Sequence, residues 1–112
     1  MRVLGFSKHW QKLSNSEFTT FRFPRKDKDW QVGEVVQVVF KPRSKEREVL
    51  GMATIAEKCP KLLHTVTEKE AREDGFEEWI DMFNWLRTHY PIKKLQEEAM
   101  NKLTLKWIDT QR

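Results

Sequence analysis

The spacing of apolar and polar residues divides the chain into an extended first half and a helical second half. From Phe18 to Phe23, in FTTFRF, side chains two apart share a face of a strand. Phe18, Thr20 and Arg22 then lie on one side, and Thr19, Phe21 and Phe23 on the other. This directs Thr20 and Arg22 toward a cleft and Phe21 and Phe23 toward a core. Ahead of this strand, Val3 to Phe6 predicts a short strand, and Lys8 to Leu13 a helical turn or two with Trp10 and Leu13 inward, broken by Ser14-Asn15-Ser16. Val32-Gly33-Glu34 reads as a turn. Val35 to Phe40 is nearly all valine, the composition of a strand buried on both faces. The charged, proline-containing stretch from Lys41 to Arg47 reads as an exposed hairpin connection. Glu48 to Glu57 returns as a strand in which Gly51 marks a bulge. Cys59-Pro60 is expected to end it, because proline cannot donate to a ladder, and Leu62 to Val66 to form another short extended piece.

At Thr67 the period changes. Thr67-Glu68-Lys69-Glu70 has the reciprocal pattern of a capping box, so a helix starts there and stops near Gly75. From Phe76 to Tyr90 the positions Phe76, Trp79, Phe83, Leu86 and Tyr90 recur at three and four, flanked by Ile80 and Met82, and Pro91 ends this amphipathic helix. Ile92 to Met100 keeps helical spacing. Leu103, Leu105 and Trp107 then alternate with Thr104, Lys106 and Ile108 as a closing strand. Strands first, helices next and one strand returning give an α+β fold rather than βαβ units. The expected architecture is a single domain, residues 1–112, built as a small, mostly antiparallel barrel with helices packed at one side. Closure would also hide the edges of the valine-rich strand.

Composition narrows the class. A hydrophobic fraction of 38% is modest, but five Trp and seven Phe supply large buried areas, so a folded globule is expected. Lys and Arg outnumber Asp and Glu by 21 to 17, and the excess lies in residues 1–60, which permits an anionic partner such as RNA. The single cysteine, Cys59, excludes an intramolecular disulfide and a cysteine-based zinc site. His9, His64 and His89 lack metal-ligand spacing, so neither metal nor other cofactor is expected. With no signal-like or membrane-spanning apolar run, a cytoplasmic protein without a membrane partner is expected.

Several residues are candidates for a site, each with a plainer reading beside it. Arg22 on its strand is either an anion-reading residue or a structural ion-pair partner of Glu17 or Asp74. Arg25 and Lys26 alternate with Asp27 and Asp29, so their field is partly cancelled within a solvated loop. Lys41 and Arg43 belong to a hairpin tip, where basic residues contact phosphate or simply guard an edge. Trp10 and Trp30, each beside charged residues, are the stacking platforms for a base, while Trp79, Trp85 and Trp107 are assigned to the core. The acidic run from Glu68 to Asp81 is partly explained by helix N-termini.

In order and local motif the chain resembles the ASCH domains of the PUA-like superfamily. The likeness is carried by Thr20-Phe21-Arg22 at a strand end, Gly33-Glu34 before a valine-rich strand, the strand Val49 to Ile55, the Thr67 helix start, the aromatic helix ending at Tyr90-Pro91 and the last strand. The resemblance implies a barrel of about six strands with a helix-lined cleft that binds RNA or modified nucleosides. One branch of that family resembles small amidohydrolases acting on N4-acetylcytidine through a lysine, a threonine and an acid. Here Glu17 stands at the lysine position, Thr20 at the threonine and Asp74 at the acid, so this activity is not expected.

The leading expectation is therefore an RNA-binding or modified-nucleoside-binding module with its cleft around Thr20 and Arg22, rimmed by Arg25, Lys26, Lys41, Arg43, Trp10 and Trp30. The alternatives are a small hydrolase using Glu17, Thr20 and Asp74, and a protein-interaction adaptor.

Overall fold

Five segments rich in β-branched and aromatic residues form strands in the computed structural model, which describes residues 1–110. They are β1 (Arg2–Phe6), β2 (Glu17–Arg22), β3 (Val35–Phe40), β4 (Glu48–Lys61) and β5 (Met100–Thr110). They make one sheet in the order β1-β3-β4-β5-β2. Only β1–β3 is parallel; β3–β4, β4–β5 and β2–β5 are antiparallel. Three short helices, α1 (Glu68–Glu73), α2 (Trp79–Arg87) and α3 (Ile92–Glu97), lie between β4 and β5 in the chain, giving the expected α+β order. Among the described residues no helix is long and apolar enough to cross a membrane.

The sheet is open. Among the described residues β1 and β2 are its terminal strands and no backbone ladder joins them, so five strands form an open sheet where a closed barrel of about six was expected. A side chain crosses the seam instead: Arg22 of β2 donates from Nη2 to the Gly5 carbonyl of β1 at 2.7 Å. Every strand contributes to one apolar cluster, including Leu4, Phe18, Val38, Ile55 and Leu105, so the sheet curls around its own inner face. A second cluster joins Phe21 of β2 to Leu63, Val66 and Ala71, and to Met82, Leu86 and Leu95 of the helices. Full burial of each such aliphatic side chain stabilises the fold by about 1.5–3 kcal/mol.

Local departures from the sequence pattern have physical reasons. β3 is not buried on both faces: Val35 is exposed and Gln37 half-buried, while Val36 and Val38 are fully buried. A register shift against β4 between Val38 and Val39 breaks the alternation and withdraws Val39 from solvent as well. β4 runs through Cys59 and Pro60 to Lys61. Its pairing with β3 has ended by then, so the missing proline N–H faces an unpaired edge while β5 continues the ladder on the other side. Leu63–Thr65 is a 3-10 turn rather than an extended piece, with the Thr65 hydroxyl bonded to the Leu62 carbonyl.

The capping box at Thr67 forms as read, and Gly75, at φ 112°, terminates the helical segment in the left-handed region that favours glycine. α2 begins at Trp79, not Phe76, because Glu78 is extended and its N–H is taken by the Asp81 carboxylate. Met82, at the flank of the predicted stripe, is among its most buried residues. Met100 leaves the helical pattern to open β5.

Glu70 ties α1 to the sheet. Its carboxylate accepts from Lys61, Lys102 and the Thr67 N–H. Burial alone pushes its pKa up, but these donors outweigh it and hold the carboxyl at about 2. A depressed folded-state value stabilises the fold above the unfolded glutamate range, and that stability is lost as pH falls through the folded value. Urea unfolding is therefore expected to show stability declining from about pH 4.5 toward pH 2, and Glu70→Gln to flatten that decline. An unchanged acid slope in Glu70→Gln would place the titration elsewhere.

Candidate functional site

The site forms where the two ends of the sheet meet the first helix. The 3-10 turn Gln11–Ser14, between β1 and β2, carries Lys12, whose side chain is only 5% exposed. Asp74 caps the C-terminal end of α1. Lys12 Nζ lies 3.1 Å from Asp74 Oδ1, and the Thr19 hydroxyl donates to the same oxygen at 3.2 Å. Next to this cluster, Arg22 donates from Nε to the Thr20 hydroxyl at 3.1 Å and its guanidinium lies 4.8 Å from the centre of the Phe6 ring.

Lys12, Asp74, Thr20, Arg22 and Phe6 line a cavity of about 150 Å³, with Thr19 behind its wall. Among the described residues no buried side-chain nitrogen or oxygen lacks a partner. Among the described residues Asp74 Oδ2 and Arg22 Nη1 make no hydrogen bond, and both side chains line the cavity. One cavity is thus lined by an acceptor, Asp74, and two cationic donors, Arg22 and Lys12.

Burial pushes the Asp74 carboxyl up, with Lys12 and Thr19 partly opposing it. Burial likewise pulls the Lys12 amine down, against the opposing pull of Asp74, and lowers Arg22. Desolvation thus works against the charged form of each member of the Lys12–Asp74 pair, while their mutual attraction works for it.

Aromatic rings supply the walls. Trp10 meets Phe76 edge to face, with centroids 5.2 Å apart, and Trp85 at 5.3 Å; Tyr90 and Phe6 complete the lining. Gly75 makes the Trp10 position available, since a Cβ there would lie 2.9 Å from the indole. Half-buried, Trp10 keeps part of its ring available to the cavity.

Of the residues read from sequence, Thr20, Arg22, Asp74 and Trp10 come together here. Glu17 does not: it is exposed at the start of β2 and lies 3.8 Å from Lys106. It does not line the cavity, and among the described residues Arg22 forms no ion pair with Glu17 or Asp74. Trp30 is not a stacking platform, being 4% exposed in the core with Arg2 and Arg25 over its ring. Arg25 is exposed and bonded to Asp27, Lys26 is exposed, and neither lines the cavity. Lys41 and Arg43 line a separate groove beside it.

Lys12 and Thr19 are the site residues that sequence reasoning missed. A signal exists for Lys12: Asp74 sits at the C-terminal end of α1, where a carboxylate opposes the helix dipole and so needs a cation from elsewhere. Among the described residues no group of three or more His, Cys, Asp or Glu side chains is placed to hold a metal ion. Comparison with protein-family models, with curated proteins and with solved structures finds no match, so the functional reading rests on this geometry.

Proposed function

We propose that the protein binds a nucleobase, in RNA or as a modified nucleoside, with the ring in the cavity and its polar edge against Asp74 and Arg22. The carrying observation is the acceptor–donor pair lining a cavity of about 150 Å³. That volume is well below the roughly 300 Å³ at which sites for drug-sized ligands begin, so it takes a single ring with the sugar outside. A carboxylate accepts from an exocyclic amine and a guanidinium donates to ring acceptors, which favours cytosine among single-ring bases. On this reading the curled sheet serves as a PUA-like barrel whose seam at Arg22 is the mouth.

Tryptophan fluorescence titrated with cytidine, uridine and short single-stranded RNA tests it. Saturable quenching is expected, with cytidine ahead of uridine, and Trp10→Ala is expected to weaken binding by about 1–3 kcal/mol of stacking. No saturable response to any of these ligands from folded protein overturns the reading.

A second reading has its own observation. The amine absent at Glu17 arrives from Lys12, so the expectation against hydrolysis loses its premise. A desolvated lysine and the Thr20 hydroxyl in one cavity are parts from which acyl-transfer sites are made. Turnover of N4-acetylcytidine that disappears in both Lys12→Met and Thr20→Val favours this reading over binding alone.

A further inference from the structure

Two shallow grooves open from the rim of the cavity. One shares Gly5, Ser7, His89 and Tyr90 with it and continues over Lys41–Ser44. The other shares Trp10, Phe76 and Trp85 and continues past Glu77 and Asp81. On the nucleobase reading, a ring in the cavity has these two grooves beside it to take its substituents.

Charge separates them. The second groove presents two carboxylates, and its lysine, Lys8, lies over the Trp10 ring at 4.4 Å. The first presents Lys41 and Arg43 with the hydroxyl-bearing Ser7 and Ser44. Lys41 is held by Glu46 at 2.8 Å, whereas Arg43 has no ion pair among the described residues.

This basic loop is fixed to the cavity lip. The Lys41 N–H donates to the Phe6 carbonyl at 2.7 Å, and Lys41 turns the chain in the left-handed region at φ 45°. Pro42 packs so closely on Gly5 that a Cβ there would lie 2.7 Å from its Cγ. Gly5 is also the residue whose carbonyl receives Arg22. The lip therefore positions Arg43 a short step from the residue that closes the cavity.

Resting on the nucleobase reading above, we propose that the ligand carries a phosphate and that this phosphate lies in the Lys41–Ser44 groove against Arg43. The ligand is then a nucleotide or a single-stranded oligonucleotide rather than a free nucleoside. Phosphate suits this groove because a guanidinium without an internal partner is available for two parallel hydrogen bonds, and because the competing exit repels anions.

Calorimetric titration at low salt with cytidine, its 5′- and 3′-monophosphates and a cytidine-containing trinucleotide tests the proposal in the parent, Arg43→Glu and Lys45→Glu. At least one phosphate-bearing ligand is expected to bind about tenfold tighter than cytidine, the gain of a charge-assisted contact. Arg43→Glu is expected to bring the ratio of phosphate-bearing to nucleoside affinity to about one, while Lys45→Glu, outside the groove, retains it. A gain confined to a monophosphate identifies a phosphomonoester, and one largest for the trinucleotide identifies a phosphodiester. If cytidine binds and phosphate adds nothing, or if the gain survives Arg43→Glu, the groove proposal fails while the nucleobase reading stands. Absence of binding by all four ligands removes both.

Discussion

Lys12→Ala is expected to destabilise the fold by roughly 3–5 kcal/mol at neutral pH, the cost of leaving one charge of a buried pair uncompensated. The side chains of Lys12 and Asp74 are 5% and 9% exposed, so water cannot replace the lost partner without opening the site. Against a total stability of about 5–15 kcal/mol for a domain of this kind, that is a large share. The double variant Lys12→Met, Asp74→Leu is expected to recover most of the loss, because it removes both desolvation penalties together. The pH dependence has a definite sign. Without its ammonium partner Asp74 is pushed further up by burial, and a raised folded-state pKa leaves stability intact below the unfolded aspartate range and erodes it as pH rises through the folded value. The gap between parent and Lys12→Ala is thus expected to narrow as pH falls toward about 4. Urea denaturation at several pH values measures it, and a gap of under 1 kcal/mol at every pH would show that the pair is not desolvated in solution.

Arg22→Lys is expected to weaken binding of cytidine or a cytidine nucleotide by about 1–3 kcal/mol while retaining the charge. The guanidinium uses Nε and Nη2 to reach Thr20 and Gly5, which leaves Nη1 for the ligand. An ammonium cannot span the seam and present a donor to the cavity from one rigid plane. Arg22→Ala loses the bridge between β1 and β2 as well, so its melting temperature is expected to fall along with its affinity. The lysine variant separates the two roles, because it keeps a donor near Gly5 and costs binding more than stability. Equal affinity in Arg22→Lys and the parent, measured by calorimetry, would leave Arg22 a structural role only.

The sequence makes legible what depends on near neighbours. The alternation of Phe18 to Phe23 is met in part, with Thr20 and Arg22 at the cavity and Phe21 packed against the helices while lining the cavity as well, and the Thr67 capping box places the start of α1 to within a residue. Both are local rules of pitch and hydrogen bonding. Contacts between distant segments are not encoded this way. Pro60 lies within β4 because β3 has already ended, a fact of register that no residue near Pro60 reveals. Closure of the sheet likewise depends on how far β1 stands from β2, and a single arginine spans a gap that the pattern of strands suggests would be zipped. Lys12, set between Gln11 and Leu13, looks like any solvated lysine until Asp74 is brought against it. Trp30 shows the converse error: charged neighbours mark it as exposed, yet Arg2 and Arg25 lie over its ring and help bury it.

The position of β2 in the sheet has a consequence for how the protein is made. Among the described residues its one ladder partner is β5, more than 75 positions further along, from Glu17 opposite Lys106 to Arg22 opposite Asn101. On the ribosome, β1, β3 and β4 can pair as soon as they emerge, but the strand carrying Thr20 and Arg22 has no ladder until β5 is synthesised. Until β5 emerges Phe18 and Phe21 are therefore without their native sheet, in the condition that draws chaperones and favours aggregation. The cavity therefore waits on β5, and a nascent chain halted before that strand lacks the ladder that sets Thr20 and Arg22 in place.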